Sequence, residues 1–298
     1  MLRILIVCLW PVAVCAETFT VATFNVENYF LTPQGTRRAK PEVSQAKVAE
    51  SIAQINPDVI ALQEMGRPAA LEDLRKRLGV KGLKYPHHAW VEQDGSPIHL
   101  AVLSKFPLKA KAHTDVTYLL NRQRLTVGRG FGEVQVRVNA NYTFTLLNAH
   151  LKSKRPVPHA SEAEIRLAEA RELRKIVAAR LGTDENILIV GDLNDTPDAD
   201  PIKELIGRRA PKLVDLRPFE RNGDQAPHPA NPKFVPRRVT WTSFYWKEDS
   251  YSRFDYILAS GAMVKELDRA GTFVCDSADW GVASDHRPVV ARFVAEDR

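Results

Sequence analysis

From Phe19 onward, short β-rich runs alternate with helical stretches, and no long Gly/Ser or Pro-rich linker divides them. Many strands with helices between them imply an α/β sandwich, two mixed β-sheets packed face to face and covered by helices. There is no internal repeat and no low-complexity tract. Strands are predicted at Thr18 to Asn25, Val59 to Leu62, Ala101 to Leu103, Gly132 to Val138 and Tyr142 to Asn148. Further strands are predicted at Ile187 to Val190, Val239 to Phe244, Phe254 to Leu258 and Pro288 to Phe293. Helical spacing covers Ser44 to Ile55, with Val48, Ile52 and Ile55 on one face, and Leu71 to Leu78. The longest helix is expected over Ser161 to Leu181, opened by a capping box of Ser161 and Glu164. The Pro-rich stretch from Pro211 to Pro236 reads as a surface loop.

The buried runs end alike. Asn25 and Glu27 follow the first, Gln63 and Glu64 the second, His150 the run from Tyr142, and Asp192 and Asn194 the run from Ile187. Asp255 sits in Arg253-Phe254-Asp255-Tyr256, and Asp285-His286 precedes the last strand. Strand ends on one edge of a sheet converge, so residues far apart in sequence can line one cleft.

The N-terminus is set aside from the fold. Met1-Leu2-Arg3 supplies a positive charge, Ile4 to Val14 is almost wholly apolar, and Val14-Cys15-Ala16 ends on a small residue, the pattern of a signal peptide over residues 1–16. Residues 17–298 then form a single catalytic domain, secreted or periplasmic, in which Cys275 is the one remaining cysteine and no intramolecular disulfide is available. The chain of 298 residues is 44% hydrophobic and 26% charged, enough to bury a large core, and no later stretch is long enough to span a membrane. Loss of Arg3 takes the formal net charge from +6 to +5, a balance that favours an anionic partner.

The ordered series Phe24-Asn25-Val26-Glu27, Leu62-Gln63-Glu64, Asn148-Ala149-His150-Leu151, Gly191-Asp192-Leu193-Asn194, Phe254-Asp255-Tyr256 and Ser284-Asp285-His286 resembles the endonuclease/exonuclease/phosphatase superfamily, which shares the deoxyribonuclease I fold. The resemblance implies a four-layer α/β sandwich and divalent-metal-dependent cleavage of phosphate esters. Carboxylate oxygens suit Mg²⁺, with Mn²⁺ or Ca²⁺ as substitutes, and a hard cation offsets charge on phosphoryl oxygens. Glu64 is the leading metal ligand, with Asp285 and Asn25 beside it and Glu27 a further candidate. Asp192 would orient or deprotonate the attacking water, and Asn194 would contact the phosphate or fix that carboxylate. His286 is the acid/base or transition-state stabiliser, with Asp255 on its other ring nitrogen. His150, Asn25, Asn194 and Arg129 are the expected phosphate contacts. The sequence supplies both Asp192 and His286 as proton acceptor and does not choose between them.

The chain lacks the Pro-Ala-Trp-Cys-Asp-Arg signature of inositol polyphosphate 5-phosphatases, and it has His150 where abasic-site endonucleases usually carry tyrosine. A nuclease acting on DNA or RNA is the leading expectation, a sphingomyelinase-like phosphodiesterase acting on membrane lipid the second, and a non-catalytic binding protein the third. Basic stretches at Arg37-Arg38-Ala39-Lys40 and Lys152-Ser153-Lys154-Arg155 suit a polyanion, and Trp241 to Trp246 with Trp280 offers faces for stacking. No stable protein partner is expected, and the protein is expected to be a monomer.

Overall fold

A computed structural model describes residues 17–158, 160–181, 185–221, 230 and 240–298. The predicted signal peptide lies outside the described residues, as do Val239 and most of the Pro-rich stretch after Arg221. The strands in chain order are β1 (Thr18–Tyr29), β2 (Val59–Met65), β3 (His87–Val91), β4 (His99–Ser104), β5 (Leu108–His113), β6 (Thr117–Leu120), β7 (Gln123–Thr126), β8 (Phe131–Arg137) and β9 (Thr143–His150). They continue with β10 (Ile187–Asp192), β11 (Val214–Asp215), β12 (Phe219–Glu220), β13 (Ser243–Tyr245), β14 (Ser250–Ser252), β15 (Asp255–Ala259), β16 (Leu267–Val274) and β17 (Val289–Val294). The helices are α1 (Glu42–Ile55), α2 (Pro68–Val80), α3 (Glu162–Leu181), α4 (Asp200–Ile206), α5 (Gly261–Lys265) and α6 (Trp280–Ala283).

Two mixed sheets carry the fold. The first has the order β12-β16-β17-β1-β2-β4-β3 and the second β11-β15-β10-β9-β8-β5. Period-2 alternation decides which residues lie between them. Phe19 and Val21 of β1, Val59 and Ala61 of β2, Leu188 and Val190 of β10, and Val289, Ala291 and Phe293 of β17 belong to one buried cluster between the sheets. Phe19 sits at its centre, its ring 5.0 Å from Phe144 and 5.6 Å from Phe293. The alternate residues face the helices: Ala22, Phe24, Ile60 and Leu62 pack with Val48 and Ile52 of α1 and Leu71 and Leu74 of α2. Leu147, Ala149 and Ile189 pack with Leu173 and Val177 of α3 and Ile202 of α4. Helix, sheet, sheet, helix is the four-layer sandwich that the sequence implies.

The capping box forms as expected, Ser161 Oγ accepting from Glu164 N at 3.2 Å and Glu164 Oε2 accepting from Ser161 N at 3.3 Å. Two expectations are corrected. The strand predicted over Val239 to Phe244 is realised only as β13, because Thr242 turns its hydroxyl onto the amides of Phe254 and Asp255. The start of the Pro-rich stretch is not free loop: β11 pairs with β15 in one sheet and β12 with β16 in the other. β5 escaped the sequence reading because it is a largely exposed edge strand, Leu108-Lys109-Ala110-Lys111-Ala112-His113, rich in residues of low strand preference.

Gly191 is the tightest point of the second sheet. Its φ is +136°, and a Cβ there would fall 1.9 Å from the Ala149 carbonyl oxygen of the neighbouring strand β9. Gly191→Ala is therefore expected to cost at least about 3 kcal/mol, read as a lowered urea midpoint.

At the end of the sandwich away from these strand ends, Glu266 is 1% exposed and accepts a hydrogen bond from the Tyr142 hydroxyl. Burial pushes its carboxyl up from 4.5 to about 7, against the lowering effect of that hydrogen bond. The folded state thus favours the protonated acid. Its contribution is complete below about pH 4.5 and is lost as pH rises through about 7, a difference of about 3 kcal/mol. Glu266→Gln is expected to remove that part of the slope when unfolding is measured at pH 4.5 and pH 8.

Candidate active site

The polar residues that share the inward parity of their strands come together where the strands end. Asn25 continues the inward series of β1 and pairs in register with Gln63 of β2. In the second sheet Asp192 lies opposite His150 of parallel β9 on one side and Asp255 of antiparallel β15 on the other, so the three form a single row. Asn25 is 2% exposed, as are His150 and Asp192, and Asp255 is 1% exposed. Asn25 Nδ2 donates to Asp192 Oδ2 at 3.0 Å, closing the gap between the sheets.

Glu64 breaks the alternation. Its parity in β2 would send it to the helix face with Ile60 and Leu62, but its φ of 61° and a register shift after Leu62 turn it inward. Its Oε1 then lies 3.5 Å from Asn25 Nδ2 and 4.0 Å from His150 Nε2, while Oε2 accepts from Asn28 N at 3.0 Å. Glu27 and Asn28 also have left-handed backbone, with φ of 46° and 50°. Lys40, buried at the rim, donates to the Glu27 carbonyl at 3.0 Å.

His286 enters from the last loop. A β-bridge joins it to Ser243, and Ser284 Oγ donates to the Asn25 carbonyl at 2.7 Å while accepting from His286 N at 3.1 Å. His286 Nδ1 is 2.7 Å from Asp255 Oδ2, and its Nε2 is 3.7 Å from Asp192 Oδ2. The pair predicted from sequence is therefore present. Arg253, two residues before Asp255, pairs with Asp215 at 2.6 Å.

The electrostatics differ from group to group. Burial pushes the Asp192 carboxyl up to about 7, helped by the Asp255 charge and opposed by His286 and by the hydrogen bonds from Asn25 and Asn194. Burial alone would depress His286, yet the charges of Asp255 and Asp192 and the Asp255 hydrogen bond hold it well above the usual imidazole value. His150 moves the opposite way: burial, with Arg129, His286 and Arg37 nearby, keeps it neutral. Its Nε2 is 3.5 Å from Asp192 Oδ2.

Asn194, with φ of 54°, fixes Asp192 through its backbone, N–H to Oδ1 at 2.9 Å; its side-chain Nδ2 donates to the Leu151 carbonyl at 3.0 Å. Arg129 Nη1 donates to that same carbonyl at 3.0 Å. Asp285 and Glu27 are the most open members, their side chains 44% and 45% exposed.

Two carboxylate sets are candidates for a metal. Asp192, Asp255 and His286 place ligand atoms within 4.8 Å of one another; Asp255 Oδ2 is paired with His286 Nδ1 at 2.7 Å, an arrangement suited to proton chemistry, while Asp255 Oδ1 has no hydrogen-bond partner among the described residues. The second is Glu64, beside Asn25 at 3.5 Å, with Glu27 and Asp285 near enough to interact with it by charge. Burial raises the Glu27 carboxyl, and the charges of Asp285 and Glu64 raise it further against Lys40. Three mutually repelling oxygen donors beside Asn25 fit a hard divalent cation.

Several residues that support the site acquire that role only in the structure. Gln63 Nε2 donates to Asn148 Oδ1 at 2.8 Å, and Asn148 Nδ2 reaches the carbonyls of Leu62 and Ala101, pinning the two sheets beneath the site. Behind the wall, α3 presents Arg166 and Glu169 one turn apart, 3% and 1% exposed. Glu169 accepts from Gly128 N at 3.1 Å and Lys152 N at 2.6 Å, and Arg166 grips the Lys152 carbonyl and Asp195 Oδ2. Together they bracket the loops that carry Arg129, His150 and Asn194. Glu169→Ala is expected to cost about 3 kcal/mol, since two amide bonds to a buried carboxylate are lost, and to lower kcat about tenfold with Glu169→Gln intermediate. Steady-state kinetics with parallel melts check both.

The endonuclease/exonuclease/phosphatase family model matches residues 22–286. No curated protein sequence is significantly similar to the chain. Among solved structures, the human Nocturnin catalytic domain with bound sulfate superposes with a TM-score of 0.63 at 16% identity, over 93% of this chain and 94% of that one. Truncated TDP2 from Caenorhabditis elegans gives 0.57 at 18% identity, over 93% and 98%. Beta toxin 275-280 from Staphylococcus aureus gives 0.60 at 19%, over 92% and 99%.

Proposed function

The chain belongs to the endonuclease/exonuclease/phosphatase family, and from that premise we propose that it is a metal-dependent phosphodiester hydrolase whose substrate is a nucleic acid strand. The observation that carries the reading is an oriented acid/base couple, His286 with Asp255 at 2.7 Å, on the same side of the sandwich as Asn25, which contacts both Asp192 at 3.0 Å and Glu64 at 3.5 Å. Glu64, Asp285 and Asn25 would hold Mg²⁺ or a similar ion, which supplies charge offset at the phosphoryl oxygens. Asp192, held by Asn25 and the Asn194 amide, accepts the proton of the attacking water. His286, its Nδ1 fixed by Asp255, presents Nε2 to the phosphoryl group. Neutral His150 and Arg129 line the same pocket as phosphate donors. The net charge of +6, or +5 once Arg3 is lost, and the basic stretches beside the cleft favour a polyanion, and residues 1–16 favour export from the cytoplasm and action outside it.

The test is hydrolysis by purified protein of plasmid DNA, RNA, sphingomyelin vesicles and a soluble phosphodiester, with Mg²⁺ and with EDTA. Cleavage of a nucleic acid that stops in EDTA supports the reading. Turnover untouched by chelation would overturn the metal, and lipid cleavage with nucleic acid intact would overturn the substrate.

A further inference from the structure

Next to His286 the chain builds an aromatic projection that the hydrolytic site does not use. β13 and β14 pair Ser243 with Ser252, Phe244 with Tyr251 and Tyr245 with Ser250. Tyr245, Trp246 and Tyr251 are 45%, 71% and 54% exposed, an unusual concentration of large rings in water. Beneath them the rings of the hairpin pack on one another. The Phe244 ring lies 4.6 Å from Tyr251 and 6.2 Å from Trp280, and Trp241 contacts both Tyr251 and Trp280 at under 5 Å, 4.9 and 4.8 Å respectively.

The projection is tied to the site through backbone. Phe244 N donates to the Asp285 carbonyl at 2.9 Å, Ser243 bridges His286, and Thr242 Oγ1 accepts from Asp255 N at 3.0 Å. Trp246 is thus two residues from an atom bonded to Asp285. Cations accompany the rings: Lys247 lies 5.6 Å from the Trp246 ring, and Lys154 lies 4.9 Å from Phe254. An open groove of about 420 Å³ along the hairpin joins Trp241 and Tyr251 to Arg217 and Arg253.

We infer that this hairpin is a stacking platform for unpaired bases of a strand whose backbone enters the phosphate site; the inference rests on the nuclease reading. Base faces stack on exposed aromatic rings without sequence preference, and lysine and arginine beside the rings complement the adjoining phosphates. A duplex hides those faces, so the platform selects single-stranded substrate. A lipid surface fits less well. Glu248 and Asp249 follow Trp246 and Lys247 at the tip, and insertion of Trp246 into a bilayer would carry both acids toward the lipid.

The test compares the wild-type protein with the Trp246→Ala/Tyr251→Ala variant and with Trp246→Phe. Fluorescence anisotropy in EDTA, which blocks turnover, reads affinity for a labelled single-stranded oligonucleotide, a strand of abasic linkers of equal length, and phosphatidylcholine–sphingomyelin vesicles; cleavage is then followed with Mg²⁺. The expected result is about tenfold or greater weakening on the oligonucleotide, no change on the abasic strand, and recovery with Trp246→Phe. Melting curves establish that the variants are folded. Equal weakening on both strands would overturn stacking in favour of a charge effect. Unchanged oligonucleotide binding by the double variant would overturn the platform while wild-type cleavage of the strand keeps the nuclease reading intact. Wild-type protein that cleaves neither DNA nor RNA would overturn the nuclease reading itself, and loss of vesicle binding alone would make the hairpin a membrane device.

Discussion

His286→Ala is expected to lower kcat on a phosphodiester about 10³-fold, within the range of about 10² to 10⁴ that a positioned acid/base group contributes. The effect should fall on kcat with KM nearly unchanged, because His286 is 6% exposed and is held by Asp255 and by the Ser284 hydroxyl rather than by substrate. Asp255→Asn tests the pair from the other side. It keeps the volume but replaces the charge that holds the imidazole above its usual value, so a smaller loss, about 10²-fold, is expected. A His286→Ala variant with wild-type kcat would remove His286 from the chemistry, and the row of Asp192, Asp255 and His150 would have to act without it. Because Asp255 Oδ2 is 2.7 Å from His286 Nδ1, the two substitutions act on one pair and their effects should not add.

Glu64→Gln is expected to have the second largest effect. The change keeps the shape and the hydrogen bond accepted from Asn28 N at 3.0 Å, but removes one charge from the set Glu27, Glu64 and Asp285. Activity at saturating Mg²⁺ should fall about 10³-fold, and the thermal shift that Mg²⁺ produces in the wild-type protein should shrink. The thermal shift is read without substrate, so it separates loss of cation from loss of chemistry. A Glu64→Gln protein that retained the full Mg²⁺ shift would place the cation elsewhere, with the Asp192, Asp255 and His286 set as the next location to examine. Apo protein should also gain stability from the substitution, since repulsion among three carboxylates at the cleft mouth is relieved.

Both substitutions act on residues that were visible before any fold was known. Asn25, His150, Asp192 and Asp255 were legible as members of the ordered motifs, and each shares the inward parity of a hydrophobic series in its strand, which aims it between the sheets. The capping box at Ser161 and the three long helices were legible for the same reason: periods of 2 and 3.6 residues are local signals. The order of the clusters along the chain also carried the fold, since strand ends on one edge must meet. Thus local periods in the sequence determined most strands and helices, while the resemblance to the family supplied the four layers and the candidate site residues.

Tertiary structure decided what no period encodes. Glu64 faces the site only because left-handed backbone at φ 61° reverses its parity, and that conformation depends on contacts with Asn25 and Asn28 from another strand. Glu169 and Arg166 read in sequence as two charges on a helix; their role emerges when α3 packs behind the loops at Gly128 and Lys152. Asn148 and Gln63 become a pin between sheets through a bond across 85 residues, and Asn25 meets Asp192 across 167. Side-chain spacing along a strand or helix fixes which face a residue takes, whereas turns of reversed handedness and bonds between distant segments exist only once the sheets have packed.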